Sequence, residues 1–178
     1  DSSLLDDFYG LNGVSDRMSG SIAVSRAKTA LGVWSPAFVA RQWVGLARRG
    51  GRPRARVVAR ISQAVRDDAD RPLGMLGYFE AEEDCDAVSA LFDRAVAWLR
   101  EHAVGRIVGP MDGDTWHRYR FNIGPWDDAP FLMEPYQPAH YGALWERYGF
   151  TALEHYYSKR VDDVSAVIDR LAPVRRRV

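Results

Sequence analysis

Leu73-Gly-Met-Leu-Gly-Tyr-Phe-Glu80, then Asp84-Cys-Asp-Ala-Val-Ser-Ala-Leu-Phe-Asp-Arg-Ala-Val-Ala-Trp-Leu-Arg-Glu-His102, then Arg106-Ile-Val-Gly-Pro110: the fold turns on this stretch.

 Its middle piece, residues 84–102, ends Trp98-Leu99-Arg100-Glu101-His102 and contains no proline or glycine. The first run is apolar and of strand length. In the middle piece Val88, Leu91, Phe92, Ala95, Val96, Trp98 and Leu99 make the apolar stripe of an amphipathic helix, which Asp84 or Asp86 can cap. The last run is a short buried strand. Strand, helix and strand joined by short links imply a parallel pair with a right-handed crossover.

Outward from there, residues 56–65 alternate, with Val57, Ala59, Ile61 and Gln63 on one face and Val58, Arg60, Ser62 and Ala64 on the other. That is a strand. Asp67-Asp-Ala-Asp-Arg-Pro72 is a turn, so 56–65 and 73–80 pair antiparallel. Upstream, Ser35-Pro36 reads as a helix start, and Phe38, Val39, Trp43 and Leu46 fall at helical spacing over 36–48. Residues 48–54, rich in arginine and glycine, read as a polar loop or hinge. Leu4, Leu5, Phe8, Tyr9 and Leu11 form one further helical face before Gly10, Gly13, Gly20 and Gly32 interrupt the pattern. Downstream, 111–130 is a long aromatic loop, and loops of that length are more often functional than not. Phe131–Met133 is a short strand candidate. A helix spans Pro138–Tyr148 and stops at Gly149. A strand over Thr151–Val161 and a helix over 162–172 complete the chain, before the basic tail Arg175-Arg176-Arg177. The expected organisation is a helical arm or domain start over 1–54 and a core over 55–178, one domain overall.

Composition narrows the function classes. The 178 residues suit one domain with one core, and 47% are hydrophobic, enough to fill it. Lysines and arginines number 24 and so do aspartates and glutamates, so no nucleic-acid partner is expected. No apolar run approaches the roughly 20 residues of a membrane span. No signal-peptide pattern is read at the start. One cysteine, Cys85, forbids an intrachain disulfide, and a cytoplasmic protein is expected. His102, His117, His140 and His155 show no zinc-like spacing with each other or with Cys85, so no metal is expected.

Three local patterns carry a resemblance. One is the strand pair ending in 73–80, followed by the long helix. Another is Gly109-Pro110-Met111 followed by Thr115-Trp116 and Tyr119-Arg120-Phe121. The third is Phe131-Leu132-Met133-Glu134-Pro135, then Tyr141 and Glu146-Arg147-Tyr148-Gly149-Phe150. From about residue 55 to 162 the chain resembles the core of the GNAT superfamily of acyl-CoA N-acyltransferases, in an uncharacterised branch. The resemblance implies an α/β (α+β) fold: a mixed, mostly antiparallel sheet with one splayed parallel strand pair, flanked by helices. It implies acetyl-CoA or another acyl-CoA as co-substrate, lying in the splay with its pantetheine arm on the backbone of 73–80, at Gly77, Tyr78 and Phe79. It implies transfer of the acyl group to an amine. Homodimer formation is left open. The alternative is a GNAT fold that has lost catalysis and serves as a ligand-binding or interaction module.

Two departures stand out. The family places a glycine-rich loop at the start of the long helix, where backbone amides and the helix dipole hold the diphosphate of CoA. Here residues 80–86 contain no glycine and five carboxylates, which predicts weak binding of acyl-CoA. The family often has a tyrosine four residues before the glycine of the Gly-Phe ending; here Trp145 stands there, and indole is no proton donor to a thiolate. Tyr141, one turn earlier, is the substitute expected to protonate the departing thiolate, with Glu134 as base or holder of the amine. Trp116, Tyr119, Arg120 and Asn122 are expected to line the acceptor side, Arg120 selecting an acidic group. Tyr119, Arg120, Glu134 and Tyr141 are expected to converge on one cleft.

Overall fold

The computed structural model describes residues 42–131 and 134–175. The helical face over 4–11, the helix start at Pro36, the strand candidate at Leu132-Met133 and the end of the basic tail lie outside them.

Among the described residues four strands form one sheet in the order β1 (Gln42–Arg49), β2 (Arg52–Arg66), β3 (Pro72–Ala81) and β4 (Arg106–Val108). β1–β2 and β2–β3 are antiparallel, and β3–β4 is parallel, with Leu73, Gly74 and Met75 facing Arg106, Ile107 and Val108. Helix α1 (Cys85–Glu101) makes the crossover between β3 and β4, as the strand–helix–strand spacing predicts. Two shorter helices follow, α2 (His140–Tyr148) and α3 (Val164–Arg175).

The helix predicted over 36–48 is corrected from residue 42 onward, where the chain is strand β1. Trp43 and Leu46 fit a helical period by coincidence; Trp43 and Ala47 instead pack on the core while Val44 packs on the opposite face, the alternation of a strand. The supposed hinge is a tight hairpin. Arg49 faces Arg52, and Gly50 and Gly51 between them have φ of 57° and 78°. Two left-handed residues in a row match the twist of a hairpin, and glycine adopts them without steric cost.

The core lies between the sheet and α1. Val57 and Ala59 of β2 and Leu76 and Phe79 of β3 meet Val88, Leu91, Phe92, Ala95 and Leu99 of α1. α2 closes one end with Tyr141, Leu144 and Trp145. Trp145 meets Phe79, Phe92 and Phe121 edge to face, at centroid distances of 5.5, 4.9 and 5.5 Å. That arrangement sets the positive edge of one ring against the negative face of the next. Trp145 is therefore a core residue, and its Nε1 has no hydrogen-bond partner among the described residues. Gly149 ends α2 in the left-handed conformation, φ 116°, and its N–H bonds back to Trp145 and Glu146.

The strand predicted over Thr151–Val161 is not formed. The segment is in no sheet of the described residues, and every residue from Thr151 to Arg170 is exposed. A strand needs a neighbour to take up its backbone groups, and here nothing described supplies one. α3 shows the same lack of cover, with Val164 and Ile168 exposed. This contrast is measurable. Phe92→Ala should cost about 3–5 kcal/mol in denaturant unfolding, the usual range for emptying an aromatic core site. Ile168→Ala should stay within about 0.5 kcal/mol, as surface changes do.

Candidate functional site

β3 is irregular where the site begins. Arg56 faces Glu80 and Val58 faces Gly77, so β3 carries one residue more than β2 across this interval. The extra residue makes a bulge, and Tyr78 within it has φ of 51°. A non-glycine residue held left-handed costs on the order of 1–3 kcal/mol and persists only where its surroundings enforce it.

The surroundings are a buried polar group. Glu80 is 1% exposed. It accepts from the Tyr141 hydroxyl at 2.7 Å and from Arg118 Nη1 at 3.0 Å, and Arg56 Nη2 lies 3.9 Å away. Arg56 also donates to the Tyr78 carbonyl at 3.1 Å. Burial pulls the Arg56 guanidinium down to about 10, partly offset by Glu80. For Arg118 burial acts in the same direction, but Asp112 and Glu80 outweigh it and hold the guanidinium above its ordinary value. Arg118 reaches Asp112 Oδ2 at 3.3 Å and the Phe79 carbonyl at 3.3 Å. Asp112 Oδ1 accepts the Tyr78 N–H at 2.5 Å.

This group changes the standing of Gly77, Tyr78 and Phe79. Their backbone was expected to be open along the edge facing β4. Instead Met111 N–H donates to the Leu76 carbonyl at 2.8 Å, Asp112 takes the Tyr78 N–H and Arg118 the Phe79 carbonyl. A Cβ added at Gly77 would lie 2.0 Å from the Met111 carbonyl oxygen. Glycine is required there because another backbone passes directly over it.

The expected acceptor residues fall into two groups. Arg120 donates to Glu134 at 2.8 Å and lies over the rings of Tyr119 and Tyr156, 4.5 and 5.5 Å from their centroids. Tyr141 is fully buried and engaged elsewhere: its hydroxyl donates to Glu80 and accepts the Ala81 N–H at 3.2 Å. Arg120, Glu134 and Tyr119 are thus brought together, while Tyr141 belongs to the Glu80 group. Trp116 is 88% exposed on a tip pinned by Asp114, which accepts the N–H groups of Trp116 and His117 and the His117 ring. Asn122 is braced by Gln137, which donates to its carbonyl at 2.8 Å and accepts its N–H at 3.2 Å.

At the start of α1 the acids are not a bare patch. Asp84 is the N-cap and accepts the Ala87 N–H at 3.1 Å. Arg49 pairs with Asp84 and Asp86 at 2.9 and 3.2 Å, and Arg54 pairs with Glu82. Both arginines come from the β1–β2 hairpin. They border an open cleft of about 410 Å³, shared with residues 82–86. The repulsion expected of five carboxylates is largely cancelled, because Glu80, Glu82, Asp84 and Asp86 each face an arginine. Among the described residues no group of three or more histidine, cysteine or acidic side chains could hold a metal, and no helix is long and apolar enough to cross a membrane.

No family model matches the chain. The aminoglycoside 6'-N-acetyltransferase AAC(6')-IG of Acinetobacter haemolyticus superposes on it with a TM-score of 0.53 at 16% identity, over 91% of this chain and 96% of that one. The fold is GNAT-like, a mixed sheet flanked by helices. A transcriptional regulator from Bacillus halodurans C-125 superposes equally well, TM-score 0.53 at 10% identity over 87% and 93% of the two chains. Among curated proteins, Protein YghO of Escherichia coli K12 is 29% identical over 108 residues, 61% of this chain. The match spans only 27% of YghO.

The sequence does not single out Asp112 or Gln137, and it marks Glu80 only as one of the five carboxylates of 80–86. Nothing local marks these residues; the partners Tyr78, Asn122 and Tyr141 lie 34, 15 and 61 positions away from Asp112, Gln137 and Glu80. Two substitutions test the buried group. Tyr141→Phe leaves Glu80 short of a donor and should cost about 1–3 kcal/mol in unfolding. Gly77→Ala should cost more, since backbone cannot yield as a side chain does. A Tyr141→Phe protein as stable as the parent would remove the hydroxyl from this network.

Proposed function

We propose that this chain is an N-acyltransferase unit, taking an acetyl or other acyl group from acyl-CoA and passing it to a small amine. One feature supports the reading above the rest. The bulge at Tyr78 interrupts β3 beside parallel strand β4, within a fold shared with an acetyltransferase. Bulges re-aim backbone groups and are over-represented next to active sites. On the acceptor side, Glu134 offers a carboxylate to an amine. Tyr119, Arg120, Asn122 and the exposed Trp116 surround the approach, with Arg120 suited to an acidic group on the substrate. In the arrangement described, Tyr141 holds Glu80 and is not poised toward a thiolate. The lone thiol of Cys85 supports a reducing cytoplasm as the compartment.

Acyl-CoA does not fit the residues as they stand. The backbone edge it would need is filled, and the start of α1 presents Asp84 where a diphosphate would sit. That filled edge favours a second reading, a GNAT fold without catalysis that binds a ligand or a partner. Thermal unfolding with acetyl-CoA separates the two. Ligand at 100 times its dissociation constant adds about 2.7 kcal/mol, which for a domain of this size raises Tm by roughly 5–10 °C. The transferase reading expects such a rise, with micromolar affinity at best. No shift at millimolar acetyl-CoA would leave the second reading.

A further inference from the structure

We propose that residues 111–118 form a flap over β3 and that Asp112 is its latch, so that acyl-CoA reaches the strand only when Asp112 leaves the Tyr78 N–H. The proposal rests on the acyl-CoA reading above and says how that site is controlled.

Three successive groups on the β3 edge are taken by this one segment: the Leu76 carbonyl by Met111, the Tyr78 N–H by Asp112 and the Phe79 carbonyl by Arg118. A ligand that lies along a strand edge competes for the same donors and acceptors. The flap is also closed upon itself. Asp112 N–H donates to the Arg118 carbonyl at 2.8 Å, joining its two ends. Arg118 Nε grips Asp112 Oδ2, and the Tyr78 hydroxyl donates to the Asp112 carbonyl at 3.2 Å. The segment can pivot about Arg118, its end anchored on Glu80, once Met111 and Asp112 leave β3. Gly113, at φ 112°, provides a backbone position beside the latch that tolerates such a change.

The contacts differ in strength. The Met111 bond joins neutral backbone groups, whereas the Asp112 bond brings a carboxylate to an N–H and is of the stronger, charge-assisted kind. Asp112 is accordingly the contact whose loss opens the edge. Arg118 stays behind on Glu80, which is buried and holds it independently of Asp112.

Calorimetric titration of acetyl-CoA into the parent protein, Asp112→Asn and Asp112→Ala tests the latch. Asp112→Ala removes the occupant and should tighten binding by about tenfold or more, the scale of one charge-assisted hydrogen bond that no longer competes. Asp112→Asn loses the charge but keeps an acceptor oxygen, and should tighten it less. In the parent protein, which needs no substitution to fold, hydrogen exchange at the Met111 amide should speed up when acetyl-CoA is added, because that amide leaves Leu76. If acetyl-CoA binds all three proteins equally and Met111 stays protected, the flap is wrong and the transferase reading survives. If none of the three takes up acetyl-CoA at millimolar concentration, both fall together.

Discussion

The Glu80 carboxylate, buried among Arg118, Arg56 and Tyr141, is the interaction on which the rest of this structure depends. Each partner comes from a different part of the chain: Arg56 from β2, Glu80 from β3, Arg118 from the loop after β4 and Tyr141 from α2. A charge taken out of water is costly, and the cost is offset only when every lone pair and proton finds a partner with good geometry. The group therefore acts as a register pin. If α2 or the loop were displaced, Glu80 would be left buried with an incomplete set of donors, and losing a charged partner of such a group typically costs about 3–5 kcal/mol.

From this pin the local irregularities follow. The bulge in β3 turns Tyr78 into a left-handed conformation, and the N–H it re-aims is met by Asp112, which Arg118 holds. Gly77 lets the chain after β4 cross β3 in backbone contact. Arg56 and Arg118 thus meet the same carboxylate but differ in electrostatic standing. Arg118 has two carboxylates to answer its charge, whereas burial dominates at Arg56 and pulls it down to about 10. The aromatic packing of Trp145 on Phe79, Phe92 and Phe121 backs the same region with apolar contact.

The outer features are held more loosely. The hairpin arginines Arg49 and Arg54 meet the acids at the start of α1 largely in solvent, where ion pairs add little to stability. Their effect is on the field at that helix end rather than on stability. Arg120, clasped by Glu134 and covered by Tyr119 and Tyr156, ties the exposed segment after α2 to the aromatic loop.

Sequence by itself determined the elements whose signal is local and periodic. The stripe of α1, the alternation of Val57, Ala59 and Ile61 in β2, the apolar run of β3, the short β4 and the stop at Gly149 are all read from side chains that choose a face or a backbone angle without outside help. Their order also determined the parallel β3–β4 pair, because a helix between two neighbouring strands returns the chain to the end of the sheet where it started. The tertiary structure decided what depends on distant partners. β1 is a strand because β2 pairs with it through a Gly50-Gly51 turn, while Trp43 and Leu46 suit a helix equally well in isolation. Residues 151–161 read as a strand yet have no described neighbour to pair with. At the site, sequence placed Arg120 and Glu134 in one region but could not show that Tyr141 faces Glu80, or that Asp112 occupies the N–H of Tyr78. Those contacts join residues 34 and 61 positions apart, and only the packed sheet brings their polar groups within reach of each other.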